Sequence, residues 1–316
     1  MCGIAGFWDW KSSVDASELE ARAVLMIDSL QHRGPNDSGV WCDASQQIGI
    51  GNRRLAILDL SENGHQPLWS SGGRFCLVYN GEIYNHSELR SELESAGRHF
   101  RGRSDTEVLV EAIAHWGVQR ALERANGMFA FAVWDRETQT LTLARDRLGI
   151  KPLYSSLTPS GLLFGSELKA LRAHPGFDRS VDRGAIVLYL QHNYIPAPFS
   201  IFEKVQKLPA GSLIHVVRDR VSGPKSNPVP YWSLREIAER GQRDIFTGSE
   251  QEAADQLEQL IRDAIRLRTI ADVPVGAFLS GGMDSSTVVA LMQAENRQKV
   301  RTFTIGFEDE EYDEAP

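Results

Sequence analysis

Cysteine is scarce: Cys2, Cys42 and Cys76 are the three in 316 residues, and they share no regular spacing. That pattern fits neither a disulfide framework nor a zinc site, and its natural compartment is a reducing cytoplasm. No apolar run approaches the ~20 residues of a membrane span, so no membrane partner is expected. The N-terminus lacks the charged-then-apolar layout of a secretory signal. Clustered Lys and Arg are missing and the net charge is −8, which argues against a nucleic-acid partner held through phosphates. Repeats and low-complexity tracts are also absent. What remains is an ordinary globular composition, 42% hydrophobic and 24% charged. At ~100–200 residues per domain, the length suggests about two domains.

Short strand-like runs recur through the first two-thirds: Gly3–Trp8, Phe75–Tyr79, Phe129–Trp134, Leu141–Arg145, Leu162–Gly165 and Leu213–Val217. Many are bounded by Gly, Asn or Asp, the usual strand punctuation. Cys76 sits inside such a run and reads as a buried strand residue. Amphipathic stretches lie between them. Glu18–Leu30 places Leu19, Ala23, Met26, Ile27 and Leu30 at helical spacing, Ser87–Ala96 opens on a candidate Ser cap, and Thr106–Trp116 carries Val108, Leu109, Ala112 and Ile113. Mixed runs without strict βαβ alternation predict an α+β layered domain. Arg218–Trp232 contains Gly223-Pro224, Asn227-Pro228 and Pro230, a breaker-rich linker. Beyond it come a long helix from Glu250, a strand at Val275–Leu279, a helix at Asp284–Ala294 and a strand at Thr302–Phe307. That order is a βαβ unit, hence a parallel sheet beginning a second domain. Some 70 residues rarely complete such a domain, so a fragment of a longer protein is expected.

Cys2 stands directly behind Met1. Aminopeptidases remove Met readily before a small residue, which would leave a thiol and a free α-amine on Cys2. Free thiols titrate near pH 8.5 and α-amines at about 7.7–8.0, so the amine can take the thiol's proton and activate its own nucleophile. Taken alone, a cysteine at this position reads first as an accident of the translation start. Asn80-Gly81 reads as a turn closing the strand that ends at Tyr79. It also reads as a pair of donors for a tetrahedral oxyanion. Arg54 is either a solvated arginine or a bidentate clamp for a carboxylate. Asp105 either caps the helix that follows it, as Ser104 can, or receives an ammonium group. The string Ser280-Gly281-Gly282-Met283-Asp284-Ser285-Ser286 lies between a strand and a helix. Its glycines admit an anion close to the backbone, and the helix start supplies free N–H groups. Asp284 would repel a bare phosphate and so implies Mg²⁺ or a capping role. The loop is neither a Walker A motif, having no Lys, nor a dinucleotide GxGxxG.

Ordered along the chain are MCGIAG at the start, QHRGPNDSG at Gln31–Gly39 and RLAILDL at Arg54–Leu60. YNGEIYN at Tyr79–Asn85, SDTEVL at Ser104–Leu109 and NGMFAFAVWD at Asn126–Asp135 follow. RDRLGIKPLY at Arg145–Tyr154, FGSELKAL at Phe164–Leu171 and LSGGMDSS at Leu279–Ser286 complete the series. With these markers the chain resembles the glutamine-hydrolysing asparagine synthetases of the bacterial type, which are class II glutamine amidotransferases. The resemblance implies a four-layer α/β/β/α N-terminal-nucleophile hydrolase domain over residues 1–215, a linker at 216–245 and the start of an α/β ATP-pyrophosphatase domain at 246–316.

It further implies that Cys2 is the nucleophile and that Asn80 and Gly81 form the oxyanion hole. Arg54, Leu55, Ala56, Ile57, Leu58, Glu82 and Asp105 would hold glutamine together with Asn80 and Gly81. Leu279, Ser280, Gly281, Gly282, Asp284, Ser285, Ser286 and Ile305 would bind ATP, with Asp284 toward Mg²⁺. Ammonia freed at Cys2 would travel to a β-aspartyl-AMP intermediate, giving asparagine, AMP and diphosphate. The partners implied are glutamine, ATP and aspartate or another carboxylate, and a homodimer is an expectation of the same kind. The family's usual HRGPD is here His32-Arg33-Gly34-Pro35-Asn36. Other readings stay open: the same build amidating another carboxylate such as a sugar acid, a glutaminase-only or phosphoribosyl amidotransferase chain, and a chain whose second half is regulatory.

Overall fold

The structure, a computed structural model, describes residues 1–11, 13–218 and 227–306. It divides into two compact units, Met1–Ile237 and Ala238–Pro316. In the first, β1 (Gly3–Asp9) leads to α1 (Ala16–Asp28), β2 (Asp37–Asp43), β3 (Ile48–Arg54), β4 (Leu68–Trp69) and β5 (Phe75–Ile83). Helices α2 (His86–Ser95), α3 (Asp105–Trp116) and α4 (Val118–Arg124) follow. Next come β6 (Gly127–Asp135), β7 (Thr140–Arg145), β8 (Tyr154–Thr158), β9 (Gly161–Gly165), α5 (Leu168–Ala173) and α6 (Arg183–His192). Then β10 (Gln206–Lys207), β11 (Ser212–Val217), β12 (Val229–Pro230) and α7 (Leu234–Arg243), which runs across the division between the units.

The strands form two six-stranded sheets, ordered β10-β8-β9-β1-β3-β2 and β12-β11-β7-β6-β5-β4. Strand alternation sorts their side chains into layers. From β1, Ile4 and Trp8 face the second sheet and pack with Ile50, Val78, Ala132 and Trp134. Ala5 and Phe7 face the other way, against Leu19 and Met26 of α1 and Leu171 of α5. From β5, Cys76 and Val78 enter the layer between the sheets, whereas Leu77 and Tyr79 pack on Leu93 of α2 and Leu109 and Ile113 of α3. The result is helix, sheet, sheet, helix: the four-layer α/β/β/α arrangement. Trp8 and Trp134 meet edge-on in the middle at 5.1 Å. Burying side chains of this kind stabilises the fold by about 1.5–3 kcal/mol each.

Several local expectations are revised. The strand from Phe75 does not turn at Asn80-Gly81 but runs on to Ile83, with Gly81 paired to Phe129. A β-carbon on Gly81 would meet Met128 O at 2.3 Å, so the glycine serves close strand approach rather than a turn. Helix α2 begins at His86 with Asn85 before it and makes no side-chain cap bond, so Ser87 is not its cap. Strand β3 escapes sequence reading because Gly49 and Gly51 alternate with its apolar residues. Those glycines are needed where β-carbons would strike Phe7 and Ile27, at 2.9 and 2.7 Å.

In the second unit, a capping box of Ser249 and Glu252 starts α8 (Glu250–Arg268). Then β13 (Gly276–Phe278), α9 (Met283–Glu295) and β14 (Arg301–Phe303) form the βαβ unit, its strands parallel. Of the expected strand at Thr302–Phe307, Phe307 lies outside the described residues, as does Gly223-Pro224 of the breaker-rich segment. Pro230 is described, and β12 pairs with β11 at Ser212.

Candidate active site

Strand parity explains why distant residues converge. Cys2 shares the face of Ile4 and Trp8, Arg54 that of Ile48 and Ile50, and Asn80 that of Cys76 and Val78, all directed between the sheets. Pairing of Gly3 with Arg53 sets Cys2 beside Arg54. At this end of the sandwich the packing opens into a cavity of about 160 Å³. Met1, Cys2, Arg54, Leu55, Ile57, Leu58, Asn80, Gly81, Glu82 and Asp105 line it. Gln66, Tyr79, Thr106, Met128 and Lys151 do so as well, and sequence reasoning did not single them out. Tyr79, Thr106, Met128 and Lys151 lie inside quoted motifs, and that was the available signal. Ala56, expected in the site, does not line the cavity; its N–H donates to Asn36 Oδ1 at 3.1 Å. The Asn in place of the usual Asp at 36 therefore still supplies a side-chain acceptor to this loop.

The loop after β3 is built around Arg54 and Asp59. The buried Arg54 guanidinium donates to the carbonyls of Leu58, Asp59 and Ser61, at 3.0, 2.5 and 3.5 Å. Asp59 takes a left-handed φ of 55°, which Asp tolerates better than most residues. Its carboxylate accepts from Arg103 N at 2.7 Å and Ser61 N at 3.2 Å. Although burial opposes ionisation, the Ser61 hydroxyl and these two N–H bonds hold the Asp59 carboxyl below the usual carboxylate range. Arg54 is thus not a solvated arginine: it holds this loop while lining the cavity.

Asp105 is buried, and the capping role belongs to Ser104, whose hydroxyl accepts from Glu107 N. Asp105 Oδ2 accepts from Tyr79 OH at 2.8 Å and Ile83 N at 2.9 Å. Burial pushes its carboxyl up, opposed by those two bonds. Glu82 is also raised, by burial and then by the Asp105 charge, with Lys151 opposing. Burial pushes the Cys2 thiol up as well, against the Leu55 N–H that donates to Sγ at 3.3 Å. The α-amine shown here belongs to Met1 and is lowered by burial. Asn80 is fully buried, yet neither its Oδ1 nor its Nδ2 has a hydrogen-bond partner among the described residues. Buried amides are seldom left so.

In the second unit, Leu279–Ser286 form the strand–loop–helix turn expected of them. Leu279 N donates to Phe303 O at 2.9 Å, Ser285 Oγ donates to Gly282 O, and Gly281 has φ 81°. Gly282 precedes α9 without any side-chain cap bond, leaving the N–H groups of the first turn, with Asp284 and Ser285 among its residues, unclaimed by a side chain. Ser286 lies one position further on. Ile305 is exposed and follows Thr304, whose hydroxyl donates to Leu279 O at 2.7 Å.

Comparison with known proteins agrees with this geometry. Residues 1–232 match the glutamine amidotransferase domain family and residues 256–316 the asparagine synthase family. An asparagine synthetase (glutamine-hydrolysing) 3 from Bacillus subtilis is 35% identical over 98% of this chain and 48% of its own length. A counterpart in Methanocaldococcus jannaschii, named a putative asparagine synthetase, is 35% identical over 100% of the chain and 61% of its own. Amidase chry2 of Gibberella zeae is 32% identical over 92% and 43%. The chain spans about half the length of most of the curated relatives it matches. Among solved structures, the B. subtilis glutamine phosphoribosylpyrophosphate amidotransferase superposes with a TM-score of 0.51 at 22% identity, covering 72% of this chain and 49% of that one. Such a match speaks to the fold alone. Two facing sheets with Cys2 at one mouth, and a family match across residues 1–232, together show that the chain belongs to the glutamine amidotransferase domain family and continues into an asparagine synthase segment.

Proposed function

We propose that the chain hydrolyses glutamine at Cys2 and delivers the ammonia to an ATP-activated carboxylate, aspartate in the leading case, to form asparagine. The observation that carries this reading is the unpaired, buried Asn80 amide lining one cavity with Cys2. Once Met1 is removed, the Cys2 α-amine takes the thiol proton and Sγ attacks the side-chain carbon of glutamine. Negative charge then develops on the amide oxygen, where Asn80 Nδ2 and Gly81 N–H donate. The amine returns the proton to the departing ammonia, and water hydrolyses the thioester to glutamate. Asp105 receives the α-ammonium, with Glu82 beside it, while Arg54 and the Leu55–Leu58 backbone take the α-carboxylate. While Met1 is present the Cys2 nitrogen is an amide and cannot serve as base, so any N-terminal extension silences the site.

In the second unit, the uncapped start of α9 and the left-handed Gly281 fit an approaching phosphate. Leu279, Ser280, Gly282, Ser285, Ser286 and Ile305 complete the proposed ATP contacts. No group of three His, Cys, Asp or Glu among the described residues is arranged to hold a metal. Mg²⁺ would thus be held by Asp284 together with phosphate oxygens, a usual arrangement for this ion. ATP with Mg²⁺ supplies the leaving group that makes the acceptor carboxylate reactive. No described helix is long and apolar enough to cross a membrane.

Cys2→Ala in the full-length protein should abolish glutamine hydrolysis and spare ammonia-dependent product formation. Persistent glutamine-dependent synthesis would refute the nucleophile assignment. A second reading is amidation of another carboxylate; one relative, 32% identical, carries a name other than asparagine synthetase. Pyrophosphate release with ammonia and a panel of carboxylates separates the two readings.

A further inference from the structure

Cys2 lies outside the strand ladders that hold β1. Pairing with β3 starts at Gly3, and pairing with β9 starts only at Ala5, opposite Gly165. Terminal residues fray unless something ties them down. After Gly165 the chain leaves the sheet toward α5, so the ladder to β1 is continued by a side chain. The buried Ser166 accepts from Ile4 N through its hydroxyl at 3.0 Å and donates its own N–H to Ile4 O at 2.9 Å. One residue on, Glu167 Oε1 accepts from Arg33 Nη1 at 2.9 Å, and Arg33 Nε donates to the Cys2 carbonyl at 2.9 Å. The Arg33 side chain is 9% exposed, so solvent screens this pair little. His32 Nε2 at 3.0 Å and Lys169 Nζ at 3.3 Å hold the same carboxylate. Partial burial works against ionisation of Glu167, but the bonds from Arg33, His32 and Lys169 keep its carboxyl below the usual range.

We propose that Ser166 and Glu167 form a brace that positions the nucleophile: Ser166 fixes Ile4 on both sides, and Glu167, acting through Arg33, fixes the Cys2 carbonyl. On the far side Sγ is held by Leu55, whose N–H donates to it at 3.3 Å and whose carbonyl accepts from it at 3.6 Å. Without the brace, the residue is free to turn about its own backbone and Sγ loses its aim into the cavity. Glu167 and Arg33 touch neither substrate nor reacting atoms; they are positioning residues. The inference rests on the reading of Cys2 as the attacking group.

The test uses the full-length protein with Glu167→Gln, Arg33→Lys, the double variant and Ser166→Ala. Steady-state glutamine hydrolysis, the rate of Cys2 alkylation by iodoacetamide and the melting temperature are measured for each. Misplacement of a reacting atom by about 1 Å costs about 100-fold. Glu167→Gln is expected to lower kcat about tenfold or more with KM within about twofold, and alkylation should slow in parallel. The double variant should be no slower than Arg33→Lys alone, because both act through one contact. Ser166→Ala should lower kcat in the same sense. Unchanged kcat in Glu167→Gln, additive losses in the double variant, or a melting shift that accounts for the lost activity would overturn the brace. Cys2→Ala separates the layers: if it still hydrolyses glutamine, the reading of Cys2 fails; if it is inactive while Glu167→Gln is fully active, only the brace fails.

Discussion

Asn80→Ala should separate catalysis from stability, because this side chain contributes no hydrogen bond to the fold. Asn80 is fully buried, and both its polar side-chain atoms are unpaired among the described residues. A buried amide in that state costs about 1–3 kcal/mol of desolvation. Truncation removes that cost, while the small void it leaves acts in the opposite direction. The melting temperature is therefore expected to stay level or rise by a few degrees, at about 2–4 °C per kcal/mol for a domain of this size. Catalysis should respond very differently. Losing one oxyanion donor costs about 2.7–4 kcal/mol in the transition state, a fall of about 100- to 1000-fold in kcat. The donor acts most strongly on the charge that develops in the transition state, so kcat should fall far more than KM rises. Glutamate release at saturating glutamine and thermal unfolding by circular dichroism read the two effects separately. Asn80→Asp, which sets an acceptor against the developing negative charge, should be slower still. Full kcat together with a lowered melting temperature in Asn80→Ala would refute the reasoning and make Asn80 a residue of the fold alone.

Two further outcomes follow from the same geometry. Asp105→Asn keeps an acceptor for Tyr79 OH and Ile83 N but removes the charge that receives the ammonium. The fold should survive while KM for glutamine rises on the order of 30-fold, the counterpart of ~2 kcal/mol for a truncated charge pair; an unchanged KM in steady-state assays would count against that role. Arg74 grips Asp135 through two bonds, at 2.9 and 2.7 Å. Burial opposes ionisation of Asp135, but the Arg74 bonds and those from the Glu137 and Thr138 segment outweigh it, so its carboxyl sits below the ordinary range. A carboxyl lowered on folding contributes stability above its unfolded pKa of about 3.9 and loses it as pH falls through the folded value. Arg74→Gln should therefore move the acid-unfolding midpoint to higher pH. Because Arg74 is 39% exposed, its effect at neutral pH should stay near ~1 kcal/mol.

Much of the molecule was legible from local pattern. Helix α1 followed from Leu19, Ala23, Met26 and Ile27 at helical spacing, and the βαβ unit followed from two short apolar runs around a Gly-rich turn. Other elements were not. Strand β3 carries glycines where a strand former is usual, because the side chains of Phe7 on neighbouring β1 and Ile27 on α1 occupy the space beside them. Asn80-Gly81 carries a turn signature yet lies mid-strand, held flat by nine residue pairs with β6. Tertiary pairing overrode the local preference there. Tyr79 was hidden for a related reason. Its position in an apolar run reads as core, and only the approach of α3 brings its hydroxyl to Asp105.

Residue chemistry alone was sufficient to suggest a terminal thiol nucleophile, a donor pair at Asn80-Gly81 and a phosphate-type loop at Ser280–Ser286. For each of Asn80, Arg54 and Asp105 it left two roles standing. Folding removed one of each, the turn at Asn80, the solvated Arg54 and the Asp105 cap, by geometry that no local window contains. Parity along β1, β3 and β5 turned Cys2, Arg54 and Asn80 toward one cavity, and Ser104 took the capping bond that left Asp105 free to pair with Tyr79. The tie from Glu167 through Arg33 to the Cys2 carbonyl links positions 134 and 31 residues apart. Such a contact exists only where β9 and β1 already lie side by side, so it belongs to the tertiary structure.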